Sequence, residues 1–173
     1  MKVPRWVLSR LDRMVRGAGK SEPDFVVVPT GRETLRRWHK VKSKLFNVYL
    51  HQSVWHDDNR ALHDHPWWNV SIVIQGGYLE VMPLRKGDGS AYRNGDPVWW
   101  HRRVPGQVIF RGAKAAHTLM LTGKHDAPEP CWSLFITGPS LRDWGFYCAR
   151  GWISEKLYRR RVGNRSEIGQ GCA

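Results

Sequence analysis

From Leu45 onward the chain is cut into short apolar runs separated by Gly, Pro, Asn and Asp. Runs of that length, rich in β-branched and aromatic residues, form strands, and frequent turn signals between them favour a barrel or sandwich over alternating helix and strand layers. The predicted strands are 45–52, 69–75, 78–84, 106–111, 117–122, 131–138 and 144–148. The body of the chain therefore reads as all-β. Asp88, Gly89, Asn94, Gly95 and Pro97 mark one long surface connection, and 123–130 another.

At 173 residues the chain has the length of one domain with terminal additions. Three parts are distinguishable: a basic N-terminal extension over 1–44, a β body over 45–153, and a basic tail over 154–173. In the extension, residues 4–16 put Trp6, Val7, Leu11, Met14 and Val15 near one side of a helix, with Pro4 suited to its first turn. Such a basic amphipathic helix can lie on a membrane surface or pack on its own domain, and packing is the expectation. Gly17 and Gly19 end it, 25–29 (FVVVP) reads as a strand, and 31–39 (GRETLRRWH) as a basic turn or short helix. The tail begins as a helix at 154, and its last ten or so residues are expected to be mobile.

The net charge of +13 is concentrated at the ends. Residues 1–44 hold 12 Lys and Arg against 4 Asp and Glu, 149–173 hold 6 against 2, and 45–148 hold 10 against 9. A near-neutral body with basic ends fits a nucleic acid or other polyanion as partner, although solubility alone accounts for such charge. Ten tryptophans and 41% apolar residues exclude a disordered chain. No apolar run approaches the roughly 20 residues of a membrane span, and Arg5, Arg10, Asp12 and Arg13 interrupt any leader-like segment, so a cytoplasmic protein is expected. Cys131, Cys148 and Cys172 form neither a CxxC pair nor an even set, and reduced thiols are expected.

The chemistry concentrates in Leu62–Glu80, LHDHPWWNVSIVIQGGYLE. Two histidines one residue apart on an extended segment aim their rings to one side. A third imidazole is needed for a metal site. His117, at the head of the apolar run HTLML after the turn-rich RGAKAA, is the first choice, and His51 at the end of LFNVYLH the second. His39, His56, His101 and His125 sit among charged or loop residues. Three neutral imidazoles suit Fe(II), Zn(II), Mn(II), Ni(II) or Cu(II) and leave positions open for other ligands.

This pattern resembles the cupin superfamily, whose motifs are written G(x)5HxH(x)3,4E(x)6G and G(x)5PxG(x)2H(x)3N. His63, His65, position 69 and Gly76 fall at the spacing of the first, and Gly106 and His117 at that of the second. The segments GGY, PGQVIF and GPSLRDWGFYCARGW are similar to those of small cupin-domain proteins of bacterial and phage genomes. The resemblance implies a double-stranded β-helix, or jelly-roll, barrel carrying a mononuclear metal at His63, His65 and His117, and pairing into a homodimer through barrel edges. The chain departs from the motifs at Asp57, Asn69, Gly112, Lys114 and Leu121. Asn69 replaces the usual Glu, which removes a charge beside the metal and leaves a weak ligand or hydrogen-bond donor. A three-histidine site resembles those of thiol dioxygenases and other oxygen-using cupins, in which Fe(II) holds substrate and O2 together. No substrate-binding motif of those enzymes is matched.

Other residues carry weaker signals. Arg111, inside a strand, invites a partner, and with Asn69 it is the expected catalytic pair; Arg102 and Arg103 read as loop charges. Asp64 alternates away from the histidine pair and is expected in solvent, whereas Ser71, Val73 and Gln75 share parity with His65 and Asn69 and are expected inside. Trp67, Trp68, Trp99, Trp100 and Phe110 read as core rather than as a stacking platform, and Trp132, Trp144, Phe146 and Trp152 as one closed end of the barrel. Two functions follow. One is an Fe(II)-dependent oxidase or dioxygenase acting on a small polar or anionic substrate, with Zn(II), Mn(II) or Ni(II) serving isomerase-like variants. The other is a non-catalytic module that binds a sugar, nucleotide or nucleic acid through the basic termini.

Overall fold

The computed structural model describes residues 1–29, 31–57, 61–84 and 95–172. Helix α1 (Arg5–Ala18) leads into strands β1 (Phe25–Val28), β2 (Leu35–Lys42), β3 (Asn47–Ser53), β4 (Leu62–His63), β5 (Asn69–Gln75) and β6 (Tyr78–Pro83). Then come β7 (Val98–Arg103), β8 (Val108–Arg111), β9 (Thr118–Leu121), β10 (Gly123–Lys124), β11 (Ala127–Pro128) and β12 (Cys131–Thr137). The chain finishes with β13 (Gly145–Cys148), β14 (Gly151–Ser154), α2 (Glu155–Tyr158), β15 (Arg159–Val162) and β16 (Arg165–Ile168). The structure is mostly β, with one mixed sheet, smaller antiparallel sheets and a short N-terminal helix.

One sheet runs β15-β16-β1-β2-β3-β12-β5-β8, two smaller ones run β14-β13-β4 and β7-β6-β9, and β10-β11 is a hairpin. The small sheets meet at an antiparallel bridge between His63 and His117. A cluster of Val73, Tyr78, Ile109, Leu121 and Cys131 packs the large sheet against the β6 sheet. On its other face the large sheet carries α1, whose Leu11, Val15 and Ala18 lie on Trp38, Leu50, Ile74 and Trp132. Burying one such Leu or Val contributes about 1.5–3 kcal/mol, enough to make this face the helix's resting place. Strand alternation then does the rest: in β3, Leu50 faces α1 and His51 faces the opposite side, toward the histidines. The β5–β6 turn needs both glycines, since a Cβ on Gly76 (φ 69°) would collide with the Pro130 carbonyl and one on Gly77 would lie 2.8 Å from Arg103 O.

Each of the seven predicted strands is present, 69–75 with both ends unchanged and the other six with shifted ends. Residues 35–39 are not a turn or helix but the start of β2, which pairs with both β1 and β3 and takes the extended form; only 31–34 lie in the connection before it. Gln75 is not inside. A bulge opposite Trp132 turns it to the helix side, where its amide donates to Asp12 of α1 at 3.2 Å. Trp99, Trp100 and Phe110 are not core: they are 54%, 52% and 68% exposed on β7 and β8, which end their sheets. Asp88, Gly89 and Asn94 lie outside the described residues.

The tail does not fray. β16 pairs with β15 and, in parallel, with β1 through Val26↔Arg165, Val27↔Ser166 and Val28↔Glu167, so both basic ends enter one sheet. Cys148 and Cys172 form a disulfide, with Cα atoms 5.5 Å apart, instead of two reduced thiols. The hairpin folds back over β13 and brings together cysteines separated by 24 positions. Cys131 is a buried free thiol, pushed up to about 12 by burial. No described helix is long and apolar enough to cross a membrane.

Candidate metal centre

The ligand-bearing segments are tied together by backbone. His63 and His117 exchange N–H···O bonds, both 2.9 Å, and His65 N donates to Ala113 O at 3.1 Å. β4 is only two residues long, so His63 lies in a strand and His65 in the loop beyond it. Imidazole nitrogens of His63, His65 and His117 lie within 4.8 Å of one another, the only such His, Cys, Asp or Glu group among the described residues. His65 Nε2 is 2.9 Å from His117 Nε2.

Asp64 is buried, not in solvent. Leaving a strand this short ends the alternation, and the carboxylate turns inward to accept from Arg142 Nη1 (2.7 Å), Gly145 N (2.8 Å) and Tyr147 OH (3.1 Å). Arg142 Nη1 also reaches His65 O at 3.4 Å. The residue between the two histidines therefore holds their loop against β13.

A residue that the sequence did not flag organises the far side. Glu80 on β6 is wholly buried, and its Oε1 accepts from His117 Nδ1 at 2.9 Å and Arg111 Nε at 2.5 Å, while Oε2 accepts from Arg103 Nε at 2.6 Å. Burial by itself would raise this carboxyl. The Arg111 guanidinium and the His117 hydrogen bond outweigh burial and hold it well below the usual carboxylate range. Its only sequence signal is an acid amid the apolar residues of YLEVMP, at the same parity as Tyr78. Arg111 is buried too and donates further to Asn69 Oδ1 (3.3 Å) and Tyr78 OH (3.2 Å). Asn69 is wholly buried, and its amide nitrogen has no hydrogen-bond partner among the described residues. Arg111 thus has its partner in Glu80, and Asn69 touches the histidine network through Arg111.

Aromatic rings wall the cluster. Trp67 stacks on His65 with centroids 4.7 Å apart, Trp144 lies 5.9 Å from the same ring, and Phe146 lies 5.7 Å from His63. Burial therefore lowers His63 and His65 well below the free imidazole value, helped at His63 by His117 and Arg159 and at His65 by His63 and His117. Both rings are neutral at neutral pH, the form that binds metal. Glu80 Oε1 accepts a hydrogen bond from His117 Nδ1–H, the tautomer in which His117 Nε2 presents its lone pair. His65 Nδ1 is buried without a hydrogen-bond partner among the described residues. Converging neutral nitrogens, one ring oriented by a carboxylate and one nitrogen unsatisfied, fit a divalent metal ion. The second-choice ligand, His51, stands outside the cluster, with its Nε2 accepting from Arg37 Nε at 2.9 Å. His56 is buried by structural bonds, its Nδ1 accepting from Leu121 N (3.0 Å) and its Nε2 lying 3.2 Å from His125 O.

No protein-family model and no curated protein matches the chain. Among solved structures it is similar to a conserved protein with a double-stranded β-helix domain from Klebsiella pneumoniae, at 16% identity and a TM-score of 0.46 over 65% of this chain and 84% of that one. It is similar to a cupin superfamily protein from Desulfitobacterium hafniense at 12% identity and a TM-score of 0.41, over 61% and 77% of the two chains. The polyketide cyclase RemF from Streptomyces resistomycificus is 17% identical, with a TM-score of 0.45 over 68% of each chain. The likeness is one of fold, at low identity, to several cupin or double-stranded β-helix proteins.

Proposed function

We propose that the chain is a mononuclear metal enzyme on a cupin-type double-stranded β-helix, with His63, His65 and His117 as ligands and Fe(II) as the favoured ion. Its reaction is an oxygen-dependent oxidation of a small polar or anionic substrate. The observation that carries this reading is the convergence of three imidazoles, two of them neutral through burial, with Glu80 orienting the third. When bound, such an ion supplies Lewis acidity, open coordination positions and, for iron, an electron for oxygen chemistry.

The protein's own groups prepare the site. Trp67, Trp144 and Phe146 cover part of the histidine rings and lower the polarity around them. Arg111 fixes Glu80, and Glu80 fixes the His117 tautomer. Tyr78 lines the same cavity. Burial raises its pKa, so it stays a phenol, and while its oxygen accepts from Arg111 its own O–H is a proton donor for the cavity. Asn69 and Arg111 act in this reading by positioning. Metal analysis of untagged, anaerobically purified protein, then of His63→Ala and His117→Ala, is the test. One ion per chain, lost in both variants, is expected, and metal content unchanged in both overturns the assignment.

A second reading, a binding module for a nucleic acid or other polyanion, is favoured by the β1–β16 pairing that gathers both basic ends into one sheet. It predicts steeply salt-dependent retention on DNA or heparin that His117→Ala leaves intact.

A further inference from the structure

We propose that the histidine cavity receives the oxyanion of its substrate, a carboxylate or a phosphate, on Arg37. This deepens the enzyme reading and rests on taking the cavity beside the three histidines as the substrate site.

The cavity, about 100 Å³, opens between the inner face of the large sheet and the histidines. Across that face Arg37 on β2 pairs with His51 on β3, and His51 with Ser133 on β12, so the three form one row of the cavity floor. Arg37 Nε donates to His51 Nε2 at 2.9 Å, which sets the direction of the guanidinium. Its Cζ lies 4.8 Å from the centroid of Tyr49 and 5.6 Å from that of Phe25. Ring faces support the cation without satisfying its N–H groups. Among the described residues, the terminal nitrogens of Arg37 have no hydrogen-bond acceptor and no carboxylate is paired with it.

The other arginines of the interior differ. Arg103 and Arg111 share Glu80, and Arg142 holds Asp64. Asp57 lines the cavity as well, but its Oδ2 accepts from Leu119 N at 3.1 Å. Burial, opposed by Tyr49, pushes Arg37 down to about 10, so it is still a cation at neutral pH. A half-buried cation without a protein counter-ion is completed by a ligand anion, and the guanidinium fork offers two parallel N–H donors to two oxygens.

Two further arginines lie behind the cavity lining. Arg161 lies 5.4 Å from the Phe25 ring that Arg37 also faces. Arg159 lies 4.9 Å from Phe146, whose ring neighbours His63. These charges add to the positive potential around Arg37, which favours an anion there.

Calorimetric titration of the full-length, metal-loaded protein with acetate and with inorganic phosphate at constant ionic strength tests this. One anion per chain is expected, weakened at least tenfold by Arg37→Gln and less by Arg37→Lys, which keeps the charge and loses the fork. Chelator-treated protein is expected to stay within threefold of the loaded form. Preference for acetate assigns a carboxylate, and preference for phosphate a phosphate ester. No binding by the wild type, affinity unchanged in both folded variants, or loss only on chelation overturns the proposal. If the purified protein holds no metal yet binds an anion through Arg37, the subsite stands and the metal reading falls.

Discussion

Glu80 Oε1 lies 2.9 Å from His117 Nδ1, and the same oxygen accepts from Arg111 Nε. One buried oxygen thus links the third histidine of the cluster to a buried guanidinium, and a second oxygen serves Arg103. Glu80→Gln keeps the shape and removes the charge that both arginines share. Metal affinity is expected to fall about 10–100-fold, because His117 loses its anionic acceptor. Stability is expected to fall by about 3–5 kcal/mol, because breaking a buried pair leaves charge uncompensated. Competition against a chelator measures the first and urea unfolding the second; unchanged metal affinity would remove Glu80 from the site.

The buried histidines set a pH dependence in the metal-free protein. His51 is held well below 6.5 by burial first and then by Arg37. As pH falls below about 6.5 the unfolded chain takes up the proton before the folded one, so the unfolded state binds more protons and stability declines. The loss is about 1.4 kcal/mol per pH unit for one such histidine, and it ends where the folded group also protonates. Denaturant midpoints between about pH 5 and 7 should fall with acidity, and His51→Gln should flatten the slope by one histidine's share. A slope identical in the variant would contradict this.

The disulfide closes a loop of 24 positions over the end of β13. Loop closure of that size stabilises by about 3 kcal/mol in the chain-entropy description. Thermal unfolding with and without reductant, and of Cys148→Ser with Cys172→Ser, should show a lowered Tm of similar size in both. A Tm indifferent to reductant would mean that the bond adds nothing to the fold.

What was readable in advance follows the reach of local rules. The run 69–75 became β5 because its period of two and the following glycine pair are both local. The segment LRRWHKVK was not read as a strand, since its arginines carry no apolar alternation; it became β2 only because β1 and β3 supply hydrogen bonds on both edges and α1 covers Trp38. Arg37 was hidden with it. Alternation puts Asp64 in solvent, but a two-residue strand cannot sustain that alternation.

By itself, the sequence determined the predominance of strands, a helix over 4–16 that the structure extends to Ala18, and the spacing that singles out His63, His65 and His117, because each depends on residue period or interval along the chain. Only the tertiary structure decided that Glu80 orients His117 across 37 positions, that Arg142 holds Asp64 across 78, and that the basic ends meet through β1 and β16. A charge chooses its partner by distance in space and by the lack of water around it. Neither is written in the order of residues until the sheets close over them.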